Sequence, residues 1–224
     1  MTVRPPSPRG VAFDLDGLLV NTEELYQDVG SELLRRRGKT FGPDLLDAMM
    51  GRPQQVALSI MIEWHALDDT IDQLAGETKE IFYGMLETRL EPMPGAVTLV
   101  ERLVARGVPR CVATSSGPEF AADVLGRVGL RHHFGFVLTS ADVVRGKPDP
   151  EIYLAAARRL DVPPTELLVL EDSQTGCRAA VAAGAQVVAV PGGHSRRHDF
   201  SGALFVAESL LDPRLVSLLG ADQR

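Results

Sequence analysis

Apolar positions fall into two regimes along the chain. Val11-Ala12-Phe13, running into Asp14-Leu15-Asp16, predicts a short strand that breaks at Gly17. From Thr22 to about Leu90 the spacing is helical. Leu25, Val29 and Leu33 recur at every fourth position, with Asn21 as N-cap and Glu24 three places on. Leu67, Ile71, Leu74, Thr78, Ile81, Met85 and Leu86 form one stripe of a later helix. Val56, Ile60 and Trp64 share helical spacing as well, which places Trp64 in a helical core. Pro92 and Pro94-Gly95 punctuate the end of this block.

Beyond it, helices alternate with short apolar runs. A helix face made by Ala96, Leu99, Val100, Leu103 and Val104 precedes a strand over Pro109 to Thr114. A helix from about Pro118 to Val128 leads to Phe136-Val137-Leu138-Thr139, and one from Pro150 to Leu160 leads to Leu167 through Leu170. Another, near Gly176 to Ala183, leads to Gln186 through Val190, and Ala203 to Val206 reads as a last edge strand. Such alternation predicts an α/β fold, a parallel sheet with helices on both faces. The helical block after the first strand is too long for a crossover and reads as an inserted cap. The expected division is a core of residues 1–20 and 93–224 and a cap of residues 21–92.

Composition narrows the function classes. The chain has 224 residues, long enough for one large domain or one domain carrying an insertion. Lys plus Arg number 23 against 30 Asp plus Glu, so a nucleic-acid or membrane-surface partner is not expected. Met1 to Gly10 lacks the apolar stretch of a signal peptide, and no run of 18 apolar residues predicts a membrane span. Cys111 and Cys177 supply no disulfide framework and read as small buried hydrophobes, which fits a reducing cytoplasm. A monomer is expected. His194 and His198 flank Arg196-Arg197 after Gly192-Gly193, a loop to which no role is assigned.

In open parallel sheets ligands bind beyond the carboxyl ends of the strands. Those ends carry Asp14 and Asp16, then Thr114-Ser115-Ser116, then Lys147 in Gly146-Lys147-Pro148-Asp149-Pro150, then Glu171-Asp172. Each set has an ordinary structural reading; Thr114 to Ser116, for example, also reads as the N-cap of the next helix. Together they suit phosphoryl transfer. One of Asp14 and Asp16 can attack phosphorus while the other trades a proton. Glu171 and Asp172, with Asp14, make a hard oxygen site suited to Mg²⁺. Lys147 offsets negative charge, and Thr114 with the amides of the following helix binds phosphate oxygens.

Asp14-Leu15-Asp16-Gly17, Thr114 after an apolar strand, Lys147 in Gly-Lys-Pro-Asp-Pro, and Glu171-Asp172-Ser173 with Gly176 resemble, in order, the motifs of the haloacid dehalogenase superfamily. The pattern is similar to the subgroup of sugar-phosphate phosphatases and β-phosphoglucomutase. The resemblance implies a Rossmann-like core with a helical cap that closes over substrate. It implies Asp14 as the nucleophile that becomes an aspartyl-phosphate and Asp16 as general acid/base. It further implies Asp14, the backbone carbonyl of Asp16 and Asp172 as Mg²⁺ ligands, with Glu171 close by or acting through water. Thr114 and Lys147 match phosphate-binding positions, with Ser115 and Ser116 as further donors. Arg52 in the loop Met50-Gly51-Arg52-Pro53-Gln54, which matches the subgroup's cap loop, is the candidate contact to the leaving group, and Glu24 in the hinge after the first motif is a further substrate-binding candidate.

The mutase hinge often reads Asp-Thr-x-x-x-His, whereas this chain reads Asn21-Thr22-Glu23-Glu24-Leu25-Tyr26. Tyr26 in the histidine position favours hydrolysis. The expected activity is therefore an Mg²⁺-dependent phosphatase of a small phosphorylated sugar or nucleoside. A phosphosugar mutase is the first alternative, and a non-enzymatic phospho-accepting signalling domain is the second.

Overall fold

In the computed structural model, residues 6–49, 52 and 54–220 are described. Met50, Gly51 and Pro53 of the expected cap loop lie outside the described residues. In chain order the elements are β1 (Gly10–Phe13), α1 (Thr22–Arg36), α2 (Pro43–Met49), α3 (Gln54–His65), α4 (Ile71–Arg89) and α5 (Ala96–Ala105). They continue with β2 (Arg110–Ala113), α6 (Pro118–Arg127), β3 (Val137–Leu138), α7 (Glu151–Leu160), β4 (Leu167–Glu171), α8 (Gln174–Ala182), β5 (Gln186–Ala189), β6 (Phe205–Val206) and α9 (Pro213–Leu218). The chain divides into two compact units, one holding the residues through Asn21 and from Glu91 onward, the other holding Thr22–Leu90.

The first unit is a six-stranded sheet in the order β3-β2-β1-β4-β5-β6, with every pairing parallel. Strands β1 and β4 are buried at all positions, as expected where helices cover both faces. The alanine-rich inner faces of α7 and α8, with Ala156, Ala157, Ala179 and Ala180 buried, belong to one continuous core with β2, β4 and β5. Cys111 and Cys177 are buried in that core and unbonded. The chain runs from β1 to β2 and β3 on one side and resumes at β4 on the other. The change of direction beside β1 creates the crevice in which such sheets bind ligands.

Strand β1 ends sooner than the sequence suggests. Its ladder stops at Phe13, although the Asp14 amide still donates to the Leu170 carbonyl at 3.0 Å. Gly17 then turns the chain with φ of 77°, and its N–H donates to the Val20 carbonyl at 2.9 Å. The chain leaves and re-enters this unit at adjacent points. Asn21 and Glu91 exchange backbone and side-chain hydrogen bonds of 3.1 and 2.9 Å, and Met93 donates to the Leu19 carbonyl at 2.9 Å. The two crossings lie side by side, so the long excursion between them leaves the sheet register undisturbed.

The second unit is helical. Leu25, Val29 and Leu33 of α1 are buried, as are Leu74, Ile81, Phe82 and Leu86 of α4. Thr70 and Gln73 form a capping box at the start of α4. The placement of Trp64 in the core is corrected: it is 52% exposed, and Val56 is exposed with it. The apolar residues of α3 fall on more than one stripe, and the buried ones are Leu58 and Met61 instead. No helix among the described residues is long and apolar enough to cross a membrane.

Arg37, just past the end of α1, fastens this unit. Its guanidinium grips Asp69 with bonds of 2.8 and 2.6 Å, reaches Glu77 at 2.7 Å and caps the Leu33 carbonyl at 2.9 Å. Hydrogen bonds from Arg37 hold the carboxyls of Asp69 and Glu77 below their ordinary values of 3.8 and 4.5. Because both folded-state values are depressed, this contribution is complete above about pH 5 and is lost as the pH falls through them. Arg37→Ala is expected to cost about 1–2 kcal/mol at neutral pH. It should also flatten the acid limb of stability; urea unfolding at pH 7 and pH 3.5 checks both outcomes.

Candidate active site

Three adjacent strands deliver their carboxyl ends to one place. Asp14 follows β1, Thr114 follows β2, and Glu171 closes β4 with Asp172 next. Lys147 arrives from the loop before α7. The Glu151 carboxylate pins that loop by accepting from the amides of Val144 and Arg145 at 2.9 and 3.0 Å.

Lys147 is the hub. Its ammonium donates to Asp14 Oδ1 at 2.5 Å, Glu171 Oε1 at 2.6 Å and the Ala113 carbonyl at 2.9 Å, one acceptor for each N–H. Asp14 is 7% exposed and Glu171 is fully buried. Glu171 Oε1 also accepts from the Tyr153 hydroxyl at 2.7 Å, and Oε2 accepts from the Ser173 hydroxyl at 2.8 Å and the Ser173 amide at 3.1 Å. The Tyr153 ring lies 5.1 Å from the ammonium.

Asp16 sits beside this cluster, half-buried. Its Oδ2 accepts from the Ser116 hydroxyl at 2.6 Å and the Thr114 hydroxyl at 3.2 Å, while Thr114 Oγ1 accepts from the Ser116 amide at 3.0 Å. The reading of Thr114 to Ser116 as a helix cap is corrected: the N-cap of α6 is Gly117, which makes no side-chain cap bond. The hydroxyls of Thr114 and Ser116 are turned toward Asp16 instead. Ser115 is exposed. The cap of α8 is Ser173, accepting from the Gly176 amide at 3.1 Å.

Burial pushes the Asp14 carboxyl up, to about 8; Lys147 works against that rise, and Glu171 and Asp16 reinforce it. Burial also opposes the charge on Lys147, but Asp14 and Glu171 outweigh it and hold the ammonium above the ordinary lysine value. Burial, then Glu171 and Asp14, raise the Tyr153 hydroxyl well above its usual range, so it stays protonated and donates.

One carboxylate oxygen from each of Asp14, Glu171 and Asp172 lies within 4.8 Å of the other two, and all three residues are buried. With all three acids ionised, three carboxylates against one ammonium would leave an excess of two negative charges in a nearly dry place, and the raised Asp14 carboxyl reflects that strain. A hard divalent cation with oxygen preference is suited to cancel that excess.

Residues 8–184 match the model of the haloacid dehalogenase-like hydrolases. The chain belongs to that family. A haloacid dehalogenase-like hydrolase from Deinococcus radiodurans R1, solved with phosphate and sodium, superposes with a TM-score of 0.80 at 27% identity, covering 95% of this chain and 96% of its own. The probable pseudouridine-5′-phosphatase of Drosophila melanogaster is 36% identical over 210 residues, 89% of each protein. The fructose-1-phosphate phosphatase of Escherichia coli K12 is 34% identical over 181 residues, 81% of this chain and 95% of the relative. The bifunctional riboflavin kinase/FMN phosphatase of Arabidopsis thaliana is 33% identical over 92% of this chain, which spans only 54% of that larger protein.

Of the residues singled out in the sequence, Asp14, Asp16, Thr114, Ser116, Lys147 and Glu171 converge through the contacts above, and Asp172 joins them in the acidic cluster. Arg52 and Glu24 belong to the helical unit. Glu24 is exposed in the first turn of α1, and Arg52, also exposed, borders a cavity of about 370 Å³ within that unit, with Glu23, Tyr26 and Phe41 also on its wall. Tyr26 stacks on Phe82 with ring centroids 4.1 Å apart.

Sequence reasoning missed Tyr153. A signal was present: Tyr153 shares the inner stripe of α7 with Ala156 and Ala157, so its hydroxyl had to find an acceptor inside the core. Gly176 proves to be a steric requirement, because a Cβ there would lie 1.7 Å from Glu171 Oε1. Gly176→Ala should therefore expel Glu171 from its place. We expect a loss of about 3 kcal/mol in stability together with most of the activity, read by thermal unfolding and phosphate release.

Proposed function

We propose that this chain is an Mg²⁺-dependent phosphatase that hydrolyses a small phosphorylated sugar or nucleoside through an aspartyl-phosphate on Asp14. The observation that carries the reading is the buried contact of Lys147 with Asp14 and Glu171, beside Asp172, with Asp16 held separately by Ser116 and Thr114.

An Asp14 carboxylate oxygen attacks phosphorus and forms the acyl phosphate, while the ester oxygen departs. Asp16 gives that oxygen its proton and then takes one from the water that attacks the acyl phosphate, releasing inorganic phosphate and restoring Asp14. The hydroxyls of Ser116 and Thr114 aim Asp16 through its Oδ2. Lys147 offsets charge gathering on the phosphoryl oxygens. Asp14, Asp172 and the backbone carbonyl of Asp16 would hold Mg²⁺, with Glu171 at the border of the site. When bound, the cation shields the phosphoryl charge and favours the ionised, nucleophilic form of Asp14.

The relatives that support this reading carry the names of phosphatases for a nucleoside phosphate and for a sugar phosphate. Two unbonded buried cysteines fit a protein working in the cytoplasm, where we place it as a monomer.

The test is phosphate release from a panel of sugar, nucleoside and polyol phosphates, including β-glucose 1-phosphate with its organic product identified. We expect release from one or a few compounds, abolished by a chelator and restored by Mg²⁺. Asp14→Asn, nearly isosteric but a poor nucleophile, should lower release by at least about a thousandfold with the thermal midpoint retained. Glucose 6-phosphate formed without free phosphate would instead establish the mutase, and wild-type rates in Asp14→Asn would refute the nucleophile.

A further inference from the structure

We propose that Tyr153 is a positioning residue for this chemistry, acting through Glu171 on Lys147, and that Glu171 is the anchor of the lysine rather than a metal ligand. The inference rests on the phosphatase reading above.

A carboxylate offers about four lone-pair positions, two on each oxygen. In Glu171 the chain's own donors take all four: Lys147 and Tyr153 on Oε1, and the amide and hydroxyl of Ser173 on Oε2. Nothing is left over for a cation. The carboxylate is also fully buried and seated against the bare backbone of Gly176, where even a Cβ would lie 1.7 Å from Oε1. Asp14 differs, with Lys147 as its one side-chain donor among the described residues. Of the three acids in the cluster, Glu171 is thus spoken for by the protein.

Lys147 is equally committed, with three N–H groups on three acceptors. A phosphoryl oxygen can gain its contact only when one of these yields. Asp14 is the acceptor that changes, because forming the acyl phosphate removes its carboxylate charge and weakens its hold. Glu171 must then keep the ammonium in place without pulling it away from the phosphoryl group. By sharing Oε1, the Tyr153 hydroxyl takes up part of the charge that Lys147 would otherwise face alone. Without that hydroxyl, Glu171 draws the ammonium harder and away from Asp14. Tyr153→Phe keeps the ring beneath the ammonium and removes only this hydrogen bond.

The experiment uses the full chain with p-nitrophenyl phosphate as substrate and Mn²⁺ alone as the binding probe, read by electron paramagnetic resonance. Tyr153→Phe should lower kcat about tenfold with KM within about twofold, and leave Mn²⁺ affinity unchanged. In a Glu171→Gln background the same substitution should change kcat by less than about twofold, since its effect passes through Glu171. Glu171→Gln should keep Mn²⁺ affinity within about tenfold, whereas Asp172→Asn should lose far more. An unchanged kcat in Tyr153→Phe, or the same loss in both backgrounds, overturns the role of Tyr153. Mn²⁺ binding lost as completely in Glu171→Gln as in Asp172→Asn overturns the anchor. The Mn²⁺ titrations report on folded protein without turnover, so they judge Glu171 independently of the phosphatase reading.

Discussion

The site depends on keeping a lysine and three carboxylates together where water is scarce. Lys147 alone cannot neutralise Asp14, Glu171 and Asp172, and burial would ordinarily drive such a group of acids apart or protonate them. The fold resists both tendencies by fixing the acids on backbone that is already committed. Asp14 is tied to β4 through its amide, and Glu171 is itself a ladder residue paired with Ala189. Neither can retreat without breaking the centre of the sheet. In the reading proposed above, the negative charge that remains when the acids are ionised is what a cation would answer.

This constraint explains the spread of the functional residues along the sequence. A parallel sheet places the ends of β1, β2 and β4 side by side although they lie far apart in the chain, with β1 between the other two. Each strand is only a few residues long and buried, so the first polar residue after it emerges at the same edge. The helical unit can be spliced between β1 and β2 because the chain departs at Asn21 and returns at Glu91, which are hydrogen-bonded to each other. The sheet is indifferent to what lies between those two residues.

Much of this was legible because burial writes itself into short apolar runs. Val11 to Phe13 and Leu167 to Leu170 permit no reading but a covered strand once helices alternate with them, and their polar successors stand out as a consequence. The helical unit was less legible. In α3, Val56, Ile60, Trp64, Leu58 and Met61 offer two stripes of similar quality, and only packing decides that the second faces inward. Hydroxyl directions were illegible for a related reason. Thr114 and Ser116 have the composition of a helix cap, yet their bonds go to Asp16, an acid nearly a hundred residues earlier. No local rule could supply that partner.

Tyr153 shows what separates a residue type from its role. Its position on α7 follows from helical periodicity, and its burial follows from the alanines beside it. Its function follows from neither, because a phenylalanine would fill the same space. What the hydroxyl adds is a fourth hydrogen bond to a carboxylate that already holds the lysine. In a wet site that addition would be exchanged for water at little cost. In a dry one it changes how charge is divided between Glu171, Lys147 and Asp14. The same low polarity that makes the acid cluster costly makes a single buried hydroxyl consequential.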